Sequence, residues 1–390
     1  MSIFEKSEYH ARIEKTQKAM VEHGVEVLLT TNPANMNYLT GYDGWSFYVH
    51  QLLVVTLDQD EPVWIGRGMD ANAAKVTTFL RHDNIHSYPD DYVQSTTKHP
   101  MDYVADLLKE KGWDRRRIGL EMDTYYFTAA CYESLKRSLP NASFKDCTTL
   151  VNWVRVIKSP QEIEYIKQAA RIIERVMQVG VDMVRPGVRQ CDAVAAIYHA
   201  QISGTAEYGG DYTAICPMLP TGVGTSTPHL TWTDQPFVTG EATILELSGA
   251  RFHYHCPMAR TVHLGKPPKK LADTAAVVIE GLNNALAAAK PGVTCEEVEA
   301  AWRRTIEKHG IVKESRIGYS AGLNYPPDWG EHTLSLRPGD KTVLQPNMTL
   351  HMIPGVWMDD WGFEVSECFR VTENGAETFA NFPRQLFVKD

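Results

Sequence analysis

Residues 246–261 read ELSGARFHYHCPMART. The stretch divides into two β-strands, one opening on Glu-Leu-Ser-Gly-Ala and the other closing on Ala-Arg-Thr. Side chains alternate along a strand, so residues two apart share a face, and whatever Pro257 faces, His255 faces too. Strand-rich blocks near 242–265 and 348–372 frame the second half of the chain, and a short repetition runs through it. Arg185-Pro186-Gly187-Val188 leads to Ala195-Ala196, and Lys290-Pro291-Gly292-Val293 leads to Ala300-Ala301 at the same offset. Each copy follows one helical pattern and opens another, which predicts an α+β domain of two related halves with a site between them.

That domain starts at KSPQEIEYIKQAARIIERVM (158–177). Ser159, Pro160 and Glu162 supply a cap, a first-turn proline and a capping-box acid ahead of apolar residues at helical spacing. Two domains are natural for 390 residues, and the boundary is placed between 1–158 and 159–390. In the first part an amphipathic start (Tyr9, Ile13, Met20), apolar runs at VEVLLTT, LLVVTL and PVWIG, and helix-like segments near 100–111 and 125–138 alternate. Such alternation reads as a small α/β domain. The segment TNPANMNYLTGYDGWSFY (31–48) is rich in turn formers and aromatics and reads as a loop whose Tyr42, Trp45 and Phe47 either pack at the surface, the favoured reading, or reach into a neighbour's pocket.

With 43% hydrophobic and 22% charged residues the chain lies in the ordinary globular range. A net charge of −9, with basic residues scattered among more numerous acids, argues against nucleic-acid binding. The first residues are polar and charged, without the apolar centre of a signal peptide, and no segment carries the roughly 18 uncharged residues of a membrane span. A cytoplasmic protein is expected. Seven single cysteines without CxxC spacing fit reduced, packed thiols. Cys256 is set apart only by lying inside the opening stretch.

Several motifs in order resemble the creatinase and methionine aminopeptidase superfamily, which also holds the Xaa-Pro aminopeptidases: KSPQEIEYIKQAARI, TSTPHL, the strand pair ending ART, IGYSAG, MIPGVW and ECFRVTENGAE. The resemblance covers 159–380 well and the N-terminal part in outline. It implies an α/β creatinase-type N-terminal domain and an α+β C-terminal domain of pita-bread fold. Metal-using members hold two ions with two aspartates, a histidine and two glutamates. Carried over residue by residue, those positions fall at Glu246, Pro257, Tyr319, Ile353 and Ser366. Proline and isoleucine offer a cation no donor, and tyrosine and serine replace imidazole and carboxylate poorly. The resemblance therefore implies a hydrolase with no catalytic metal and no cofactor, as in creatinase, which opens a C–N bond at an amidine-like carbon.

Alternation then suggests what fills the emptied site. Glu364 shares the face of Ser366, His255 that of Pro257, and His351 that of Ile353. With Glu246 and His229 they would form a group of carboxylates and imidazoles. His229 lies in TSTPHL, where the superfamily keeps a proton-passing histidine, and an imidazole suits that task near neutral pH. Glu246, His229 and Glu364 are the expected catalytic residues. His255 and His351, with Tyr254, Tyr319, Tyr325 and Trp329, are expected to bind substrate, the aromatics as walls for a delocalised cation, with Trp357 a further wall. Glu331 and His332 are placed at the mouth. Arg260, Arg316 and Arg337 are unranked candidates for a substrate carboxylate.

Paired glutamates suit a planar amidinium, which offers parallel N–H donors as a guanidinium does. The wording of ELSGARFHYHCPMART and GYSAGLNYPPDWGEHTLSLRPGD (318–340) resembles the superfamily branch that acts on ectoine, a cyclic amidine bearing a carboxylate. The implied reaction opens that ring to an N-acetylated diaminobutyrate, with a histidine protonating the departing nitrogen. The implied assembly is a homodimer with each N-terminal domain near the partner's site, and the product would pass to a deacetylase. Alternatives are a creatinase-like amidinohydrolase, a metal-dependent Xaa-Pro peptidase and a non-catalytic pita-bread binding module.

Overall fold

The apolar runs of the N-terminal part become the inner strands of a mixed six-stranded sheet in the computed structural model, which describes residues 3–390. The chain forms two compact units, the first ending at Arg155 and the second spanning Val156–Asp390. In the first, β1 (Val27–Thr30), β2 (Leu52–Thr56), β3 (Val63–Arg67), β4 (Ile85–Tyr88), β5 (Arg117–Leu120) and β6 (Ser143–Asp146) lie in the order β4-β3-β2-β1-β5-β6. Helices Pro100–Glu110 and Ala129–Ser138 bury Met101, Val104, Leu108, Cys131 and Leu135 against Val27, Leu29, Leu52 and Ile118. Strands covered by helices need continuous apolar runs, as these have.

The segment 31–48 is not all loop. Pro33–Thr40 forms a helix, with Asn32 accepting from the Ala34 amide, Pro33 in the first turn and Gly41 left-handed at its end (φ 80°). The turn formers are that helix's caps. After it Tyr42 is buried, its hydroxyl bonded to Ser46 and Gln51. Trp45 stays 58% exposed against the ring of Phe47.

The second unit opens with the helix Pro160–Met183, whose Ser159 and Glu162 form the expected capping box. Its partner, Gln190–Ser203, is reached through left-handed Gly187 (φ 82°). The pair Lys269–Ala288 and Cys295–Glu307 is joined in the same way through Gly292 (φ 85°). The repeated Pro-Gly-Val is thus the joint of two equivalent helix pairs. Their strands are β7 (Ala242–Arg251), β8 (Tyr254–Leu264), β9 (Gly318–Ala321), β10 (Gly330–Ser335), β11 (Thr349–Met352), β12 (Gly355–Trp357), β13 (Gly362–Glu364), β14 (Glu367–Thr372), β15 (Gly375–Thr378) and β16 (Phe387–Lys389). One sheet runs β10-β9-β11-β14-β15, another β16-β8-β7, and β12 pairs with β13.

The opening stretch is the β7–β8 hairpin, turning through left-handed Phe252 and His253. Its register sets Glu246 beside Ala259 and Ser248 beside Pro257, so these residues and His255 share one face. The opposite face packs on the long helix, so closely at Gly249 that any side chain there would meet the Ala169 carbonyl. Among the described residues no helix is long and apolar enough to cross a membrane.

Candidate active site

Two carboxylates are buried in the second unit with little to neutralise them. Glu246, in the middle of β7, is 6% exposed, and Glu364, at the end of β13, is 1% exposed. Loss of water raises both pKa values. Glu246 is pushed up further by the charges of Glu364 and Asp328, while the Lys313 ammonium restrains Glu364, which reaches about 7. Oε2 of Glu364 is buried without a hydrogen-bond partner. Such an atom calls for a partner, whether water or a bound group.

A second buried atom is also unpartnered. His255 Nε2 accepts the Ala214 amide at 2.9 Å, so its proton sits on Nδ1, which is buried and unpartnered. Burial lowers this imidazole to about 4, leaving it neutral. Glu364 thus keeps an orphan acceptor, and His255, on the same hairpin face as Glu246, keeps an orphan donor.

Two of the replaced ligand positions, Tyr319 and Ser366, are tied together through His351. Tyr319 on β9 and His351 on β11 stand opposite each other across antiparallel strands. His351 Nδ1 lies 3.1 Å from the Tyr319 hydroxyl, and its Nε2 lies 2.7 Å from Ser366 Oγ. Ser366 Oγ also accepts the Ala259 amide at 2.6 Å, and Tyr319 accepts from Trp329 Nε1 at 2.9 Å. Burial and two nearby arginines lower His351 to about 3, so it too is neutral.

Two cations near the acids carry no signal of their own in the sequence or cannot be ranked there. Lys313, a lone lysine on the segment before β9, donates to the Gly355 carbonyl at 2.7 Å and sits 4.2 Å over the Trp357 ring. Burial brings it down to about 8 against the pull of Glu364. Arg316 lies 4.4 Å over the Tyr319 ring and gives one N–H to Ser335. By contrast Arg260 spends its guanidinium on Glu367 and the carbonyls of Ala259, Ser366, Phe382 and Pro383, and Arg337 is exposed. Of the candidate arginines Arg316 alone combines partial burial with a place beside Tyr319. Asp328, which sequence reasoning also misses, is held ionised by His332 (2.7 Å) and the Gly330 amide.

Other expected site residues lie elsewhere. Tyr254 alternates to the opposite face of β8 from His255, where its hydroxyl donates to Glu162 and its ring meets Tyr165. Glu331 is buried in an ion pair with Lys158 at 2.6 Å and is not at a mouth. His332 is exposed and anchors Asp328, and Tyr325 is buried with its ring 4.3 Å from that of His253. His229 is exposed on the segment before β7, whereas the carboxylates are buried. Cys256 is buried beside Cys368, on the face away from Pro257.

The donor set does not fit a two-metal centre. Pro257 and Ile353 have no donor atom, Ser366 Oγ is engaged by Ala259 and His351, and Tyr319 is held as a neutral phenol by burial and the Glu246 charge. Among the described residues the one grouping of His, Cys and acid atoms close enough for an ion is His50, His99 and Cys131, in the first unit. There His99 Nδ1 accepts the Met101 amide, so the proton stays on Nε2.

Comparison with known proteins places the chain in a family. Residues 12–157 match the creatinase/prolidase N-terminal domain and residues 164–373 match metallopeptidase family M24. The chain is 48% identical to an ectoine hydrolase of Halomonas elongata, over 99% of this chain and 98% of that protein. It is 25% identical to an Xaa-Pro dipeptidase of Lactobacillus helveticus, over 96% and 98% of the two chains. A prolidase from Thermococcus sibiricus superposes with a TM-score of 0.84 at 20% identity, over 97% of this chain and 99% of that one, and so shares the pita-bread fold. With the family match spanning more than half of its length, the chain belongs to the M24 hydrolases, an enzyme family, and carries a creatinase-type N-terminal domain.

Proposed function

We propose that the protein is a metal-independent hydrolase that opens the cyclic amidine ring of ectoine to an N-acetylated diaminobutyrate. The observation that carries this reading is the buried pair Glu246 and Glu364, both raised in pKa by burial, with Glu364 Oε2 left without a hydrogen-bond partner. A planar amidinium brings a positive charge that favours the ionised pair and N–H donors for the unpartnered oxygen. The similar Halomonas protein, named for the same substrate, supports the choice of amidine.

In this reading the entering cation ionises the pair, because an opposite charge lowers a carboxyl pKa as much as a like charge raises it. Glu246 then adds through a carboxylate oxygen to the amidinium carbon. The bond from that carbon to one ring nitrogen breaks as the nitrogen takes a proton. Water replaces Glu246 at the carbon, leaving an acetamide, and the last proton rests on the freed amine. Arg316 or Lys313 faces the substrate carboxylate, His255 donates from Nδ1, and His229 exchanges protons with solvent. The enzyme works in the cytoplasm as a homodimer, and a deacetylase consumes its product.

Protein quenched with acid during turnover of ectoine is expected to carry the substrate's mass on the peptide containing Glu246. Turnover with no added mass on that peptide would rule out the covalent route. Absence of turnover would rule out the substrate.

A further inference from the structure

The hydrogen bonds around Tyr319 have one fully satisfied direction. Trp329 Nε1 is donor only, so the Tyr319 oxygen accepts there. At the other end the Ala259 amide is also donor only, so Ser366 Oγ accepts there and has one proton to give. Its remaining partner is His351 Nε2, 2.7 Å away. A neutral His351 that accepts at Nε2 carries its proton on Nδ1, and Nδ1 donates to Tyr319 at 3.1 Å. The reverse order would leave the buried Ser366 hydroxyl proton without an acceptor, at a cost of roughly 1–3 kcal/mol. With two donors aimed at its oxygen, Tyr319 can only send its own proton outward. Two N–H groups are also what a phenolate at that position needs.

Glu246 lies close enough to act on that phenol. Tyr319 stands at a replaced ligand position, and after burial the charge of Glu246 is the largest influence on its phenol. We infer, resting on the ring-opening reading above, that Tyr319 is the acid that protonates the departing ring nitrogen, with Trp329, His351 and Ser366 as positioning residues that hold it as a donor. The proton passes from Tyr319 to the nitrogen as the C–N bond breaks, leaving a phenolate held by the Trp329 and His351 N–H groups. The phenolate takes a proton from the attacking water in the next step, which restores the phenol and makes the exchange balance. An exposed His229 is not required for this transfer.

The chemistry accounts for two replaced ligand positions at once. Ser366 and Tyr319 stand where metal ligands stand in the metal-using relatives, and His351 is two residues from a third such position, Ile353. Together they form a chain of polar contacts that ends at the reacting group.

The experiment compares wild type, Tyr319→Phe, Ser366→Ala and protein with fluorotyrosine incorporated at 319, all with ectoine. Tyr319→Phe is expected to lose at least about 100-fold in kcat with KM changed less than about 3-fold, the range of one acid catalyst. The more acidic fluorinated phenol is expected to restore kcat to within about 10-fold of wild type, with the residual change following phenol acidity. A structural role would not show that dependence. Ser366→Ala, which leaves the phenol in place but frees His351 to reverse, is expected to show a smaller loss, again in kcat. Wild-type turnover with Tyr319→Phe within about 3-fold in kcat overturns the role of Tyr319. Failure of wild type to open ectoine overturns the ring-opening reading, and the assignment with it.

Discussion

Lys158 and Glu331 form an ion pair at 2.6 Å in which neither side chain is more than 1% exposed. Lys158 precedes the long helix of the second unit, and Glu331 lies on β10 beside the chain at Gly322. The pair thus ties the start of the domain to the sheet that carries Tyr319. Removing one partner leaves a buried charge without its counter-ion, which typically costs about 3–5 kcal/mol. Glu331→Gln is therefore expected to lower the denaturation midpoint strongly while the protein that remains folded keeps its kcat. A collapse of kcat at unchanged stability would return Glu331 to the site.

Glu364 contributes to the pH dependence of stability. Its folded pKa lies above the unfolded value, so the folded state favours the protonated acid. Its contribution is fully present below the unfolded pKa near 4.5 and is lost as pH rises through about 7. Glu364→Gln keeps the shape without the charge. It is expected to melt a few degrees above wild type at pH 8, the difference shrinking toward pH 5. Equal differences at both pH values would contradict the raised pKa.

Much of this arrangement is legible in the amino-acid sequence. The long helix start can be read because its cap, proline and capping-box acid are local signals. That His255 shares a face with Glu246, and that His351 lies beside Tyr319 and Ser366, follows from strand alternation applied to the replaced ligand positions. That same rule, applied one residue further, sends Tyr254 to the helix side, so expecting it in the site overlooks a signal that the sequence contains. The helix Pro33–Thr40 is hidden because its caps use the residue types of a turn. Lys313 and Asp328 have no periodic signal, since what matters is tertiary proximity to Glu364 and Glu246. Arg260 looks like a binding group in the sequence, whereas its N–H donors are committed to Glu367 and backbone carbonyls that only the folded chain brings near.

Lys313 offers a way to move the acid pair without touching it. Its ammonium lowers the pKa of Glu364, so Lys313→Met is expected to shift the acid limb of kcat/KM to higher pH. Activity should rise with pH in both proteins, the variant lagging by up to about one pH unit. An unshifted limb would mean that Lys313 acts elsewhere.

Substrate binding should also expel protons. A pair that holds a proton when empty and ionises around an amidinium releases it on binding. Calorimetry near pH 7 in buffers of different ionisation enthalpy is expected to show net proton release with wild type and less with Glu364→Gln. No buffer dependence would mean that the pair is already ionised.

The most direct test is proton NMR of ectoine with protein dialysed against a chelator. Ring opening to an acetylated diaminobutyrate at the same rate before and after chelation is expected, since the ligand positions hold proline, isoleucine, and a serine and tyrosine bound to His351. Ring opening that stops after dialysis and returns with added metal would contradict a metal-free mechanism built on Glu246 and Glu364.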